Sequence, residues 1–326
     1  MTITILDGGM GKELRRIGAP FRQPEWSSLA LIEAPDRVVE AHRNFIDAGA
    51  DVIVTNNYAV VPFHHDDEFF EREGSRLVEL SGVLARRAVD ESDRPDVRVA
   101  GSMPPLFGSY RPDLVDPARS GPLYRRIAEA LSDHVDLWVA ETLCTVAEIH
   151  SIVDAIDHAE GDRHVRRPIW ISITVPDDTE ADGIVRLASG ETIDEVIAAI
   201  DDRRESSPIE AVLVNCASAE RTGPALAAIR AAVDRHGLDL ALGGYANAFP
   251  DERSGEYSAN EVIFERRADL TAETYADLVA GWIDDSGATL VGGCCDMYPE
   301  HIAALADRFS PRESRGAATD SSSDPR

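Results

Sequence analysis

Eight short apolar runs, separated by segments with helical spacing, constrain this chain more than any other feature. The runs are Ile3–Leu6, Val52–Thr55, Val97–Gly101, Leu137–Ala140, Ile169–Val175, Ala211–Val214, Leu240–Gly243 and Thr289–Val291. Short continuous apolar runs of this kind read as strands buried on both faces. Between them, apolar residues recur at i, i+3, i+4 and i+7. Ile149, Ile152, Val153 and Ile156 follow this pattern, as do Ile193, Val196, Ile197 and Ile200. So do Tyr275, Leu278, Val279 and Trp282, and Ile302, Leu305, Ala306 and Phe309, while Val38, Ala41, Phe45 and Ala48 form a similar stripe. Eight strands alternating with helices predict an α/β chain, a single-domain (β/α)8 TIM barrel over residues 1–309. A doubly wound open sheet is the other arrangement of such units, but it usually has fewer strands and a glycine-rich phosphate loop. Asp7-Gly8-Gly9-Met10-Gly11 lacks the G-x-G-x-x-G spacing of such a loop.

Two segments exceed what a minimal barrel needs. Ser102–Gly121 is rich in proline and glycine and follows the third run; Asn247–Arg267 is polar and follows the seventh. Both read as long loops on the face where barrel enzymes build their sites. Residues 310–326, rich in Ser, Asp and Arg, have little to bury and are expected to be a disordered tail. A formal net charge of -27, with Lys12 the single lysine, argues against nucleic acid or an anionic membrane as a partner. No apolar run approaches the roughly eighteen residues of a membrane span, and the first residues do not read as a secretory leader. The expected location is therefore cytoplasmic, where thiols stay reduced. No isolated apolar patch can be read that would fix an oligomeric state.

Cysteine usage carries the chemical signal. Of the four cysteines, Cys294 and Cys295 are adjacent after Gly292-Gly293 at the end of the eighth run, and Cys216 closes the sixth. A lone cysteine after an apolar run is usually core. An adjacent pair behind two glycines, with a third cysteine at the same level of the barrel, points instead to a metal. Neighbouring side chains on a regular strand face opposite ways, so the pair can converge only where the backbone bends. Three thiolates from two strand ends would form a three-sulfur zinc site with an open fourth position. Asp7, Tyr58, Ser102, Glu141 and Asn247 follow other strand ends and would share that rim. Zinc with three negative ligands is a poor Lewis acid for making hydroxide. It would still strip the proton from a substrate thiol and leave the sulfur electron-rich, which suits alkyl transfer to a thiol. Cys144 reads as buried packing, although it is also the residue that could close a purely structural zinc site. His64-His65-Asp66-Asp67 reads as a solvated helix start.

Leu6-Asp7-Gly8-Gly9-Met10-Gly11, Thr55-Asn56-Asn57-Tyr58-Ala59, Ala100-Gly101-Ser102, Glu141-Thr142-Leu143, Val214-Asn215-Cys216 and Gly292-Gly293-Cys294-Cys295 resemble, in order, the motifs of the homocysteine S-methyltransferase family. The resemblance implies a Zn2+ cofactor on Cys216, Cys294 and Cys295, which activate the acceptor thiol. It implies that homocysteine and a small methyl donor are the partners, with Asp7 and Glu141 holding the amino group. The N–H groups of Gly8 and Gly9 are expected to receive the carboxylate, and Asn57, Tyr58 and Asn215 count among the substrate-binding positions. Another small thiol or selenol as acceptor, or a methyl carrier supplied in trans, would use the same site. This chain departs from the common pattern at Asp296-Met297-Tyr298-Pro299, Gly244-Tyr245-Ala246-Asn247 and Ser102-Met103-Pro104-Pro105, where contacts to the donor are expected. A sulfonium donor, S-methylmethionine or S-adenosylmethionine, is the first expectation, ahead of betaine.

Overall fold

A computed structural model describes residues 2–161, 163–177, 182–249 and 266–310. The expected tail, residues 311–326, and most of the long segment after the seventh run lie outside them. Eight strands follow in chain order: β1 Thr4–Ile5, β2 Val52–Val54, β3 Arg98–Met103, β4 Leu137–Leu143, β5 Ile169–Ile173, β6 Ile209–Ser218, β7 Ala241–Asn247 and β8 Leu290–Gly293. From β2 to β8 successive strands pair in parallel, and β1 pairs with β8. A parallel bridge between Leu6 and Val52 joins β1 to β2. The Asp51 N–H donates to the Ile5 carbonyl beside it at 2.7 Å. The strands therefore close into the expected (β/α)8 barrel, with helices such as Pro35–Ala48, Val146–Gly161, Ala219–His236 and Ala272–Ser286 outside it. Among the described residues no helix is long and apolar enough to cross a membrane.

Strand alternation divides the core into two shells. Leu6, Val52, Ala100, Leu137, Val139, Trp170, Ala211, Leu213 and Leu290 fill the barrel interior. Their alternates, including Val99, Trp138, Ala140, Ile171, Val212 and Val291, join the larger cluster between strands and helices. The helical stripes read from the sequence supply that cluster's outer half; Phe45, Ile149, Ile197 and Ile302 are each fully buried.

Strands β3, β4, β6 and β7 extend two to four residues beyond the apolar runs that announced them. The added residues include Ser102, Glu141, Thr142, Asn215 and Asn247, all polar and all buried. Polarity ended the apolar run but not the ladder, because these side chains find partners in the barrel mouth: Ser102 bonds Glu141, Asn215 bonds Thr142, and Asn247 bonds the Cys216 carbonyl. Inward alternation sets Ser102, Glu141, Ser172, Asn215 and Tyr245 directly above the apolar interior. The mouth thus has a polar floor on an apolar plug.

Candidate active site

Two bulged strands shape the floor of the mouth. Pairing shifts register between Ala140 and Leu143 on β4 and between Asn215 and Ser218 on β6. Thr142 and Cys216, at these shifts, have φ of 59° and 52°, in the left-handed region that L-residues seldom adopt. Such backbone persists only where its surroundings hold it. Asn215 supplies much of the hold. Its Oδ1 accepts from the Thr142 N–H and the Ser172 hydroxyl, both at 2.8 Å, and its Nδ2 donates to Thr142 Oγ1. The Cys216 carbonyl accepts from the Tyr110 hydroxyl at 3.0 Å and from Asn247 Nδ2 at 2.6 Å. Simple alternation would send Cys216 outward, next to inward Asn215; the left-handed turn brings it into the wall of the mouth instead.

Cys294 and Cys295 follow the end of β8, where no alternation separates them. Their turn is stitched to both neighbouring strand ends. Gly293 N–H donates to the Asp7 carbonyl, Cys294 N–H to Ala246, and Ala248 N–H to Cys295, each at 2.9 Å. The result is that the Sγ atoms of Cys216, Cys294 and Cys295 all lie within 4.8 Å of one another, with Cys216 and Cys295 at 3.7 Å. Four sulfurs around zinc at a bond length of about 2.3 Å would stand roughly 3.8 Å apart, so the trio fits that metal. All four cysteines are free thiols. The nearby Cys216 sulfur, followed by burial and the charges of the neighbouring cysteines, pushes the Cys294 and Cys295 thiols well above their usual range. Three thiolates cannot form here together without a cation.

The glycines of the first motif are required by close approach. Gly9 has an ordinary φ of -71°, but a Cβ there would stand 2.6 Å from the Cys294 carbonyl oxygen and 3.0 Å from the Asp296 nitrogen. Both are backbone atoms and cannot rotate away. Gly9→Ala is expected to lower stability by about 1–3 kcal/mol through overpacking and to weaken metal retention. Thermal unfolding, with zinc loss to a competing chelator, checks both; an alanine variant that matches the parent in each would contradict the close packing.

Two buried carboxyl groups face the cysteines. Asp7 Oδ2 accepts the Val54 N–H at 2.9 Å, and Glu141 Oε1 accepts the Ser102 hydroxyl. Burial, foremost, raises Asp7 well above the ordinary carboxylate range, with Glu141 adding repulsion. Burial likewise lifts Glu141 to about 7, against the lowering effect of Ser102. Tyr58 shares a 2.6 Å hydrogen bond with Ser109, and burial followed by the neighbouring Cys216 holds its phenol well above the usual range.

Of the positions singled out in the sequence, Asp7, Gly8, Gly9, Tyr58, Glu141 and the three cysteines line one cavity. Asn57 and Asn215 do not; Asn57 stands behind the wall and Asn215 belongs to the polar floor. Asn57 donates to the Ser102 carbonyl and accepts from Thr55, bracing β2 against β3. Two expectations need correction. The Gly9 N–H already donates to the Met297 carbonyl at 2.8 Å, so it is committed within the fold. His64 is not solvated: it is 4 % exposed, bonds through Nδ1 to the Pro24 carbonyl and lines the cavity. Only the acidic half of that stretch behaves as a helix start, with Asp66 accepting the Phe69 N–H. Cys144 stands apart from the thiol trio, its Sγ donating to Glu148 at 3.5 Å, so it does not close the site. The remaining wall includes Lys12, Trp26, Ser109, Tyr110, Tyr245 and Phe249. Sequence spacing did not bring these residues forward, because they reach the mouth from separate loops and strand ends.

A parallel barrel with three convergent thiols and two buried carboxyl groups at the C-terminal end of its strands defines an enzyme site built around sulfur. The chain belongs to the family described as homocysteine S-methyltransferase, whose pattern matches residues 4–309. It is 29% identical to the homocysteine S-methyltransferase of Escherichia coli over 94% of this chain and 95% of that protein. It is 28% identical to a selenocysteine methyltransferase of Astragalus bisulcatus, over 95% and 93%. The metallated form of the homocysteine methyltransferase MmuM from Escherichia coli superposes with a TM-score of 0.70 at 28% identity, covering 94% of this chain and 96% of that one.

Proposed function

We propose that this enzyme moves a methyl group from a sulfonium donor, S-methylmethionine or S-adenosylmethionine, to the thiol of homocysteine, giving methionine. The observation that carries the reading is the convergence of the Cys216, Cys294 and Cys295 sulfurs within 4.8 Å in the barrel mouth. Their spacing and soft donor set suit zinc, and the three cysteines would hold it. When bound, zinc supplies proton loss from the acceptor thiol at neutral pH while its sulfur stays nucleophilic.

The chain's own residues do the rest. Asp7 and Glu141 form an anionic recess suited to an α-ammonium group. Binding that cation favours their ionised forms, against the burial that otherwise disfavours them. Trp26, Tyr58, Tyr110 and Phe249 line the same cavity. Aromatic faces attract an onium methyl group and exclude water that would compete for it. Holding acceptor sulfur, methyl carbon and donor sulfur in line supplies most of the remaining rate. In the transfer a sulfur–carbon bond forms to homocysteine and the donor's sulfonium–methyl bond breaks, releasing a neutral thioether. A tertiary amine, which betaine would release on giving up a methyl, is a poorer leaving group than a thioether, which disfavours betaine. Cytoplasmic location follows from the same chemistry, since the site works only with reduced thiols. The likeness to a selenocysteine methyltransferase supports a second reading, in which a selenol is an additional acceptor at the same site.

The test incubates reduced, zinc-loaded protein with homocysteine and, separately, S-methylmethionine, S-adenosylmethionine or betaine, with product read by mass spectrometry. Methionine from a sulfonium donor and none from betaine is the expected outcome. Bound zinc with no product from any donor would overturn the donor assignment.

A further inference from the structure

We propose that the Lys12 ammonium receives the α-carboxylate of the acceptor amino acid, which makes Lys12 a specificity-determining residue of this site. The inference rests on the reading of homocysteine as acceptor and names the group that recognises its acid end. Lys12 is the chain's single lysine and is only 7 % exposed, although lysine is among the residues least often buried. It lines the same cavity as Asp7, Glu141 and the three cysteines. Its Nζ stands 3.0 Å from Asp296 Oδ1, a carboxylate 1 % exposed that directly follows Cys295.

Charge complementarity gives this placement its meaning. An amino acid is a zwitterion, and a buried site for it needs an anionic recess for the ammonium and a cation for the carboxylate. Asp7 and Glu141 provide the first. Among the described residues of the wall, Lys12 is the one that carries a side-chain amine or guanidinium. Of the two backbone donors read from the sequence, the Gly9 N–H is already committed to the Met297 carbonyl, which leaves the Gly8 N–H to act beside Lys12. Lys12 also lies on the segment that begins at Asp7, so a single short stretch carries both ends of the recognition. Asp296 keeps the ammonium from being a lone buried charge, and it ties Lys12 to the turn that carries the cysteines. For stability alone a well-packed apolar pair would serve as well as a buried ion pair, so a buried cation kept in the wall of the cavity points to a ligand.

The experiment compares L-homocysteine with 3-aminopropanethiol, which is the same molecule without its carboxylate. Binding to zinc-loaded protein is measured by calorimetry for the parent, Lys12→Met and the doubly neutral Lys12→Met/Asp296→Asn. The double variant also neutralises Asp296, so that this buried carboxylate is not left charged without its cation, and it guards against misfolding of the single one. The parent is expected to prefer homocysteine by about 10- to 100-fold, the effect of one charge-assisted hydrogen bond. Both variants are expected to lose most of that preference while binding the amine about as before. Retained preference, or equal loss of both ligands, would overturn the role of Lys12 and leave the proposed reaction standing. A shift confined to S-methylmethionine against its decarboxylated analogue would overturn it too, by moving the contact to the donor. A parent that binds neither thiol would overturn the acceptor reading and this inference together.

Discussion

Replacing Cys216 with alanine is expected to abolish methionine formation and to reduce bound zinc from about one per chain to a trace. Cys216 is the hub of the thiol cluster. Its sulfur lies 3.7 Å from that of Cys295, and its proximity is the leading cause of the raised thiols at both Cys294 and Cys295. Without it two adjacent cysteines remain, too few to hold a catalytic zinc, which ordinarily has three protein ligands. The fold should survive, since the strain at this position is held by backbone contacts from Tyr110 and Asn247 that alanine would keep. Cys144→Ser serves as the control. Its thiol belongs to the Glu148 cluster, and zinc content and turnover are expected to stay at the parent's level. Metal analysis beside circular dichroism separates ligand loss from unfolding. Full zinc content in the Cys216 variant would contradict the assigned ligand set.

The second large effect concerns stability and function in opposition. Glu141 in the folded chain titrates at about 7, against an ordinary 4.5, chiefly because it is buried. The folded state therefore binds this proton more tightly than the unfolded state does. That contribution is complete below pH 4.5 and is lost as pH rises through about 7. Above that, the parent keeps a buried charge that costs on the order of 3 kcal/mol. Glu141→Gln preserves the shape and the acceptor for Ser102 while removing the charge. Metal-free Glu141→Gln should thus unfold at a higher temperature than the parent at pH 8, and the gap should close as pH falls toward 5. The same variant should bind homocysteine far more weakly, because half of the anionic recess is gone. Parallel unfolding curves at both pH values would contradict the burial argument. Unchanged homocysteine affinity would contradict the role given to Glu141.

How much of this could be read in the chain depends on which physical signal each part leaves. All eight strands were legible because a buried parallel strand must be apolar, and Val139, Ile171 and Leu213 obey that rule. The strand ends were not, because Ser102, Glu141 and Asn215 continue the ladder with their polar groups satisfied, Ser102 by Glu141 and Asn215 by Thr142 and Ser172. The thiol trio was visible as a pair behind two glycines with a third at the same level. What spacing could not give is how Cys216 comes to face its partners, since alternation alone turns it away. The left-handed φ of 52° and the register shift before Ser218 supply the missing turn. Asn57 and Asn215 carry motif resemblance yet brace the strands rather than line the cavity, a distinction that only the side-chain bonds reveal. Lys12 left a single sign, its being the chain's one lysine. Its partner opens the stretch Asp296-Met297-Tyr298-Pro299, where this chain departs from the common pattern; the 3.0 Å ion pair joins the two.

The most direct test counts sulfur atoms around the metal. X-ray absorption at the zinc edge, on zinc-loaded protein before and after homocysteine, reads that number without any methyl donor. Three sulfurs with one lighter ligand, becoming four sulfurs when homocysteine is added, is the predicted result. A shell that already holds four protein ligands, or one that homocysteine leaves unchanged, would contradict thiol activation at Cys216, Cys294 and Cys295.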